Sequence, residues 1–412
     1  MVKVFRLIQI SDLHFSKRET QLDDEGKFLD RFKEPASINI LRKARFRIRP
    51  VLSKYPTNML IFQGDVEEKG YKPGMRKGCD YLANLWNYLG LNIDDIIVNI
   101  GNHDVCRFEN QKFDYIKECW KSLGYNLFLD GLKMKKFEIN SMVLFSLNSC
   151  HGCGEVKNYS KEIRELFDEK ITDYKNEDIK IPPNLEDPIF NFLDIPIIDT
   201  KEIDELQNQS ERFDLLLVQA HHNILPQIEP RTFGPEIVTG GYFRRCLLGL
   251  NRPVIYLHGH IHNFLSEILI DPENPDGILI IIGTPDFPRG FNLIEIYFTE
   301  DEKPIACKIR NFTLNEGYFD YKETQSYSLC LIPHAKRRKL INKIGRKIID
   351  YFLNSESYLR FKKIIDGCGL SDCEISKIVE EINKLDLLEF IEILNKEEQY
   401  DSWIIKWREQ YD

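Results

Sequence analysis

Short apolar runs recur along much of the chain, and six of them stop abruptly at polar residues. They are Phe5–Ile10 before Ser11-Asp12, Met59–Phe62 before Gln63-Gly64-Asp65, and Ile96–Ile100 before Gly101-Asn102-His103-Asp104. Met142–Leu147 precedes Asn148-Ser149, Leu215–Val218 precedes Gln219-Ala220-His221, and Val254–Leu257 precedes His258-Gly259-His260. Runs of this length, rich in Ile, Val and Leu and closed by turn residues, predict buried strands. Helical spacing fills Asn39–Leu52, Lys77–Leu89 and Asn110–Leu123. The first follows Pro35 and Ser37, and the other two are closed by Gly90 and Gly124. Alternating strands and helices predict an α/β core. Ligands of such sheets sit beyond the carboxyl ends of the strands, where these polar residues fall.

The pattern weakens from Glu155 to Asp214, an acidic stretch holding Pro182-Pro183, Pro188 and Pro196, which predicts an insertion or loop-rich cap. Ile278–Ile296 is strand-like again, with turns at Gly283-Thr284-Pro285 and Pro288-Arg289-Gly290. After Pro333 the composition shifts to Lys336-Arg337-Arg338-Lys339, Lys343, Arg346 and Lys347. Helical spacing then covers Ile344–Leu353, Tyr358–Ile365 and Asp372–Leu388. Ser371, with Glu374 three residues on, suits the start of the last helix. The expected organisation is a domain over residues 1–315 with an insertion at about 155–214, then a mostly helical domain over 331–412. The C-terminal order is similar to a winged helix-turn-helix. Its last helix is acidic, so the basic stretch Lys336–Lys347 is the candidate contact for nucleic acid.

Composition narrows the class. Of 412 residues, 42% are hydrophobic and 29% charged, an ordinary globular balance. Lys plus Arg against Asp plus Glu gives 56 − 65 = −9, so the whole chain exerts no pull on nucleic acid. Ten cysteines are too sparse for a disulfide scaffold. The opening Met1–Leu7 has no basic, then apolar, leader pattern, and Ile278–Ile282 falls far short of the roughly 18 apolar residues of a membrane span. The expectation is a soluble, reduced, cytoplasmic protein with no membrane partner.

The candidate chemistry lies at the strand ends. Only nine histidines occur, and His14, His103, His221, His260 and His262 all stand there beside Asp12, Asp65, Asn102 and Asp104. Imidazoles with carboxylates suit a cation of the Mn, Fe, Zn, Ni or Co kind better than Ca. A single Asp-x-His or His-x-His arises by chance in many chains. Five clusters in one order, each closing a predicted strand, do not suit a packed core, because unpaired buried charge is very costly.

Asp12-Leu13-His14, Gly64-Asp65, Gly101-Asn102-His103-Asp104, His221 and Gly259-His260-Ile261-His262 resemble, in order, the motif series of the calcineurin-like metallophosphoesterases. The resemblance covers roughly residues 3 to 300. It implies a four-layer α/β/β/α sandwich with two metals above the strand ends. Position by position, it implies that Asp12, His14 and His262 hold one metal, Asn102, His221 and His260 the other, and that Asp65 bridges both. It further implies hydrolysis of phosphoester bonds by a metal-bridging hydroxide. His103 would contact the phosphate or protonate the leaving oxygen, and Asp104 would orient it. His222, following the ligand position, would pack rather than ligate. Two departures stand out: Glu67-Glu68 follow Asp65 where the family often has another Asp or Asn, and Asn223 stands where it often has Pro.

The motif set is similar to that of bacterial cyclic-nucleotide phosphodiesterases, so a small diester or cyclic nucleotide is the expected substrate. A nuclease resembling repair phosphodiesterases is the alternative. An inactive binding scaffold is the remote one, since such members usually lose ligands and none is missing here. Cys150-His151-Gly152-Cys153 has a CxxC spacing, but no second CxxC accompanies it, so it reads as structural, with His151 close enough to the strand end to consider against substrate. Arg289 reads as a solvated turn residue.

Overall fold

Strands covered on both faces need no polar alternation, and the central strands here are unbroken apolar runs. The computed structural model describes residues 2–15, 38–67, 72–106, 112–127, 129, 131–153, 195–225, 236–315, 320–371 and 375–408. The chain divides into two compact units. The larger comprises Arg6–Ile294 and Arg310–Gln325, and the smaller comprises Met1–Phe5, Glu295–Ile309 and Ser326–Asp412.

In the first sheet, β1 (Lys3–Ile10), β2 (Met59–Phe62) and β3 (Ile96–Val98) run parallel, with Leu7 opposite Met59 and Leu60 opposite Ile96. The order continues outward from β1 through β10 (Gly290–Phe298) and β11 (Pro304–Asn315) to β12 (Asp320–Cys330). Ile8, Ile10, Leu60, Phe62, Ile96 and Val98 face one core, which α1 (Ile38–Lys54), α2 (Lys72–Leu89) and α3 (Asp114–Ser122) close from outside. Helical spacing sets the closure: Met75, Cys79, Leu82 and Trp86 form one stripe of α2, and Trp86 stacks on Trp120 of α3 at 5.8 Å.

The second sheet has the order β4 (Lys133–Lys136), β5 (Met142–Ser146), β6 (Leu215–Gln219), β7 (Val254–His258), β9 (Asn274–Gly283), β8 (Leu265–Asp271). Its four inner strands are parallel and its two edges antiparallel. Val143, Phe145, Val218 and Tyr256 meet α4 (Thr200–Ser210) and α5 (Gly240–Leu248) through Ile203, Leu206, Phe243 and Leu247. The two sheets are tied by buried amides. Gln9 Nε2 donates to the carbonyls of His258 and Ile282, both at 3.1 Å, and Asn99 Nδ2 donates to the Leu147 carbonyl at 2.7 Å. The result is an α/β fold of two large sheets flanked by helices, as the motif resemblance implied.

The six apolar runs are strands, and Met59–Phe62 has the expected bounds. The stretch expected to be loop-rich contains α4, capped by Asp199 Oδ1 accepting from the Lys201 N–H at 2.9 Å. Residues 154–194 of that stretch lie outside the described residues.

The C-terminal part also differs from its expectation. It contains α6 (Lys343–Leu353), α7 (Phe361–Gly367) and α8 (Ile375–Leu387), but Tyr358–Arg360 is strand β13, not helix. It pairs antiparallel with β15 (Ile404–Trp407), which also pairs with β14 (Ile391–Ile393). Leu359, Phe361, Ile364, Ile382, Ile391 and Ile405 share its core. The helix-start reading at Ser371 and Glu374 involves residues 372–374, which lie outside the described residues. Among the described residues, no helix is long and apolar enough to cross a membrane.

Phe145 is fully buried between β6 and the helices. Phe145→Ala is expected to destabilise the protein by about 3–5 kcal/mol, read as a lowered urea midpoint. A cost under about 1 kcal/mol would contradict this packing.

Candidate metal centre

Every motif residue lies just past a strand end of the larger unit, and the loops that carry them are bonded to one another. Asp12 N–H donates to Gly64 O at 2.9 Å and His14 N–H to Asp65 O at 3.0 Å. His103 N–H donates to Asp65 Oδ1 at 2.9 Å. Gly259 N–H donates to His221 O at 3.0 Å, and His260 N–H to Asp12 Oδ2 at 3.0 Å. Asp104 clamps two loops: its carboxylate accepts from Gly101 N–H at 3.0 Å, Val66 N–H at 2.8 Å and Glu67 N–H at 3.2 Å.

The backbone at this ring is strained. Asp12, His14, Asp65, His260 and His262 all have left-handed φ, between 42° and 65°. Each such residue costs of order 1–3 kcal/mol and persists only where its surroundings over-determine it. Gly64 turns the chain into Asp65 at φ +104°, and a Cβ there would lie 2.3 Å from Gly101 N.

The side chains converge. Ligand atoms of Asp12, His14 and His262 lie within 4.8 Å of one another, as do those of Asp12, Asp65 and His221, and those of His221, His222 and His260. His14 Nε2 and His262 Nε2 are 3.1 Å apart. Asn102 Oδ1 is 3.1 Å from His221 Nε2. The His221 Nδ1–H donates to Gln63 O at 2.8 Å, which turns Nε2 inward toward Asp65 Oδ2 at 3.2 Å. All seven metal-type residues named from the sequence therefore meet at one place, with His103 and Asp104 beside them.

Electrostatics follows from burial. Burial favours neutral acids, yet the His221, His103 and His14 imidazoles overcome it and hold Asp65 well below the ordinary carboxyl range. Asp12 is held at about 2, burial again being outweighed, here by His262. Desolvation resists charge on His221, but Asp65 raises it to about 10, and Asp12 likewise raises His262 to about 8. Burial depresses His260 to about 3 and His258 to about 4. Asp104 is pushed up to about 7, by burial first and the Asp65 charge second.

The other sequence candidates fall nearby in other roles. His151 Nε2 is 3.1 Å from Glu202 Oε1. Arg289 is largely exposed and pairs with Asp286 at 3.4 Å. Asp286 itself was not legible as a site residue: it is mostly buried, its Oδ1 has no hydrogen-bond partner, and its charge acts on His262. Its signal was present, since it closes β9 as the other motifs close their strands.

A two-sheet sandwich with imidazoles and carboxylates gathered at its strand ends defines a metal-dependent hydrolase of phosphoester bonds. A model of the calcineurin-like phosphoesterases matches residues 5–264, and the chain belongs to that family, whose members are dimetal-dependent. No curated protein matches the chain. Among solved structures, it is similar to a dimetal phosphatase from Danio rerio, with 12% identity and TM-score 0.49, covering 80% of this chain and 99% of that one. It is also similar to a 5'-nucleotidase precursor from Thermus thermophilus, with 12% identity and TM-score 0.41, covering 77% and 56%. A third is the calcineurin-like phosphoesterase YfkN from Bacillus subtilis, with 12% identity and TM-score 0.36, covering 94% and 99%.

Gly101 packs directly on Asp65, and a Cβ there would lie 1.9 Å from Asp65 Oδ1 and 2.5 Å from its backbone N. Gly101→Ala is therefore expected to lower bound divalent metal, measured by elemental analysis, with an unchanged far-ultraviolet circular dichroism spectrum. Full metal content in the variant would contradict the close approach.

Proposed function

We propose that the chain is a two-metal phosphodiesterase acting on a small diester or cyclic nucleotide, in a catalytic domain spanning residues 1–315. Asp12, His14 and His262 hold one cation, Asn102, His221 and His260 the other, and Asp65 contacts both. The observation that carries this reading is the Asp65 carboxylate. Asp65 Oδ2 is fully buried, and the Nε2 atoms of His221, His14 and His103 face it at 3.2, 4.0 and 4.0 Å. A buried anion ringed by imidazoles fits shared divalent cations once the rings give up their protons, and the donor set fits transition metals. The diester preference rests on the motif resemblance.

Bound there, two cations supply Lewis-acid stabilisation of phosphoryl charge and lower the pKa of water. The protein's own groups do the rest. Asn102 offers a neutral oxygen, so the pocket gains no further charge against an anionic substrate. His103 is a partly exposed imidazole, at 24%, beside Asp65. It contacts the phosphate or donates a proton to the leaving oxygen. Asp104 acts as a positioning residue: its three backbone bonds hold the loops that carry His103 and Asp65.

The nuclease reading is favoured by one observation. The C-terminal order α6, β13, α7, α8, β14, β15, with its three-stranded sheet, is nearer to a winged helix-turn-helix than helices alone would be. Hydrolysis in the presence of Mn separates the readings. The expected result is turnover of bis-p-nitrophenyl phosphate and cyclic AMP but not of single- or double-stranded DNA, lost in His103→Ala. Cleavage of DNA that His103→Ala abolishes would establish the nuclease instead.

Asp65→Asn is expected to lower turnover by at least about 100-fold, in line with loss of a group that stabilises both cations, with the fold retained. Full turnover with Mn would contradict the assignment. The raised His221 and His262 also set a pH dependence. Below about 8 these rings carry protons that a cation must displace. Divalent affinity should therefore weaken as pH falls, by about tenfold per pH unit for each proton displaced, measured by titration calorimetry between pH 8 and pH 6. An affinity flat across that range would contradict it.

A further inference from the structure

The CxxC turn after β5 is left unused by the function proposed above. Cys153 N–H donates to Cys150 O at 3.1 Å, closing the turn. Gly152 admits it, since a Cβ there would lie 2.3 Å from Ile195 O. Cys150 N–H donates to Asn148 Oδ1 at 2.9 Å, and Lys112 Nζ donates to the carbonyls of His151 at 2.6 Å and Cys153 at 2.9 Å. The turn is thus anchored on three sides, and both thiols are free and fully buried.

A third donor reaches this turn from the loop after β6. One ligand atom each from Cys150, Cys153 and His222 lie within 4.8 Å of one another. His222 is fully buried, its Nδ1 lies 2.8 Å from Ser149 Oγ, and its Nε2 has no hydrogen-bond partner. The contacts of the sulfurs to carbonyls are long, Cys150 to Ile100 at 3.6 Å and Cys153 to Ile195 at 3.8 Å. A fully buried imidazole with one nitrogen unpaired is costly, and two fully buried thiols lie within reach of the same ring. A cation removes that cost, and two cysteines with one histidine form a known zinc donor set.

We propose that Cys150, Cys153 and His222 form a further metal site, next to the Asp65 centre, for a thiophilic divalent cation such as zinc. Binding releases the two thiol protons and leaves a neutral unit of two thiolates and one divalent ion. The ion would fasten the loop after β5 to the loop after β6, which carries His221. A disulfide would use the cysteines but leave the His222 nitrogen unpaired.

The test is chelator-stripped protein reloaded with Co. The Asp65 centre offers no sulfur, so a thiolate-to-cobalt charge-transfer band reports this site alone. The expected result is a band in the wild-type protein and in Asp65→Asn, and its loss in Cys150→Ser/Cys153→Ser together with one equivalent of metal. Should the double variant fail to fold, X-ray absorption on the zinc-loaded wild type decides, with sulfur expected at about 2.3 Å. The proposal is overturned by absence of the band and of the sulfur shell, or by a band that survives in the double variant. It is also overturned if alkylation of unreduced, denatured protein finds eight free thiols instead of ten, which would reveal a disulfide.

Discussion

A buried carboxylate with one oxygen turned toward a ring of imidazoles organises this molecule. Asp65 is 1% exposed, and its Oδ2 faces the imidazoles of His221, His14 and His103. Such a group is unfavourable unless positive charge surrounds it. In the protein alone that charge is borne by protonated histidines, with His221 raised furthest; in the working family it is borne by two cations. The raised His221 and His262 show where positive charge is favoured in this pocket.

The constraint propagates into the backbone. Loops from both sheets must approach Asp65 closely, and they do so by adopting left-handed φ at five residues that are not glycine. Bonds between neighbouring loops hold that strain: the N–H groups of Asp12 and Gly259 donate to the carbonyls of Gly64 and His221, and the His260 N–H donates to the Asp12 carboxylate. The sheets beneath are fixed by Gln9 and Asn99, whose amides cross from the first sheet to the second three residues before Asp12 and Asn102. Local strain at the site therefore rests on a core that cannot slip in register.

The inner strands were legible because burial on both faces writes them as apolar runs, and the cluster of imidazoles and carboxylates was legible because five of the six runs end in such residues. Other features were hidden for physical reasons. β8 alternates half-buried and exposed residues at a sheet edge, a weaker signal than an apolar run. β13 was read as helix because Leu359, Phe361, Ile364 and Ile365 keep a helical spacing, while its pairing partner Ile404–Trp407 lies far along the chain. The partners of Asp104 are backbone N–H groups, which no side-chain motif announces. Likewise CxxC alone looked structural, because His222 reaches it only in three dimensions.

The central claim is that Asp65 sits between two cations. Crystals soaked in Mn and measured near its absorption edge would show this directly in an anomalous difference map. The account predicts two peaks about 3.5–4 Å apart on either side of Asp65, one by His14 and His262 and one by His221 and His260. A single peak, or peaks that leave Asp65 without a metal, would contradict it.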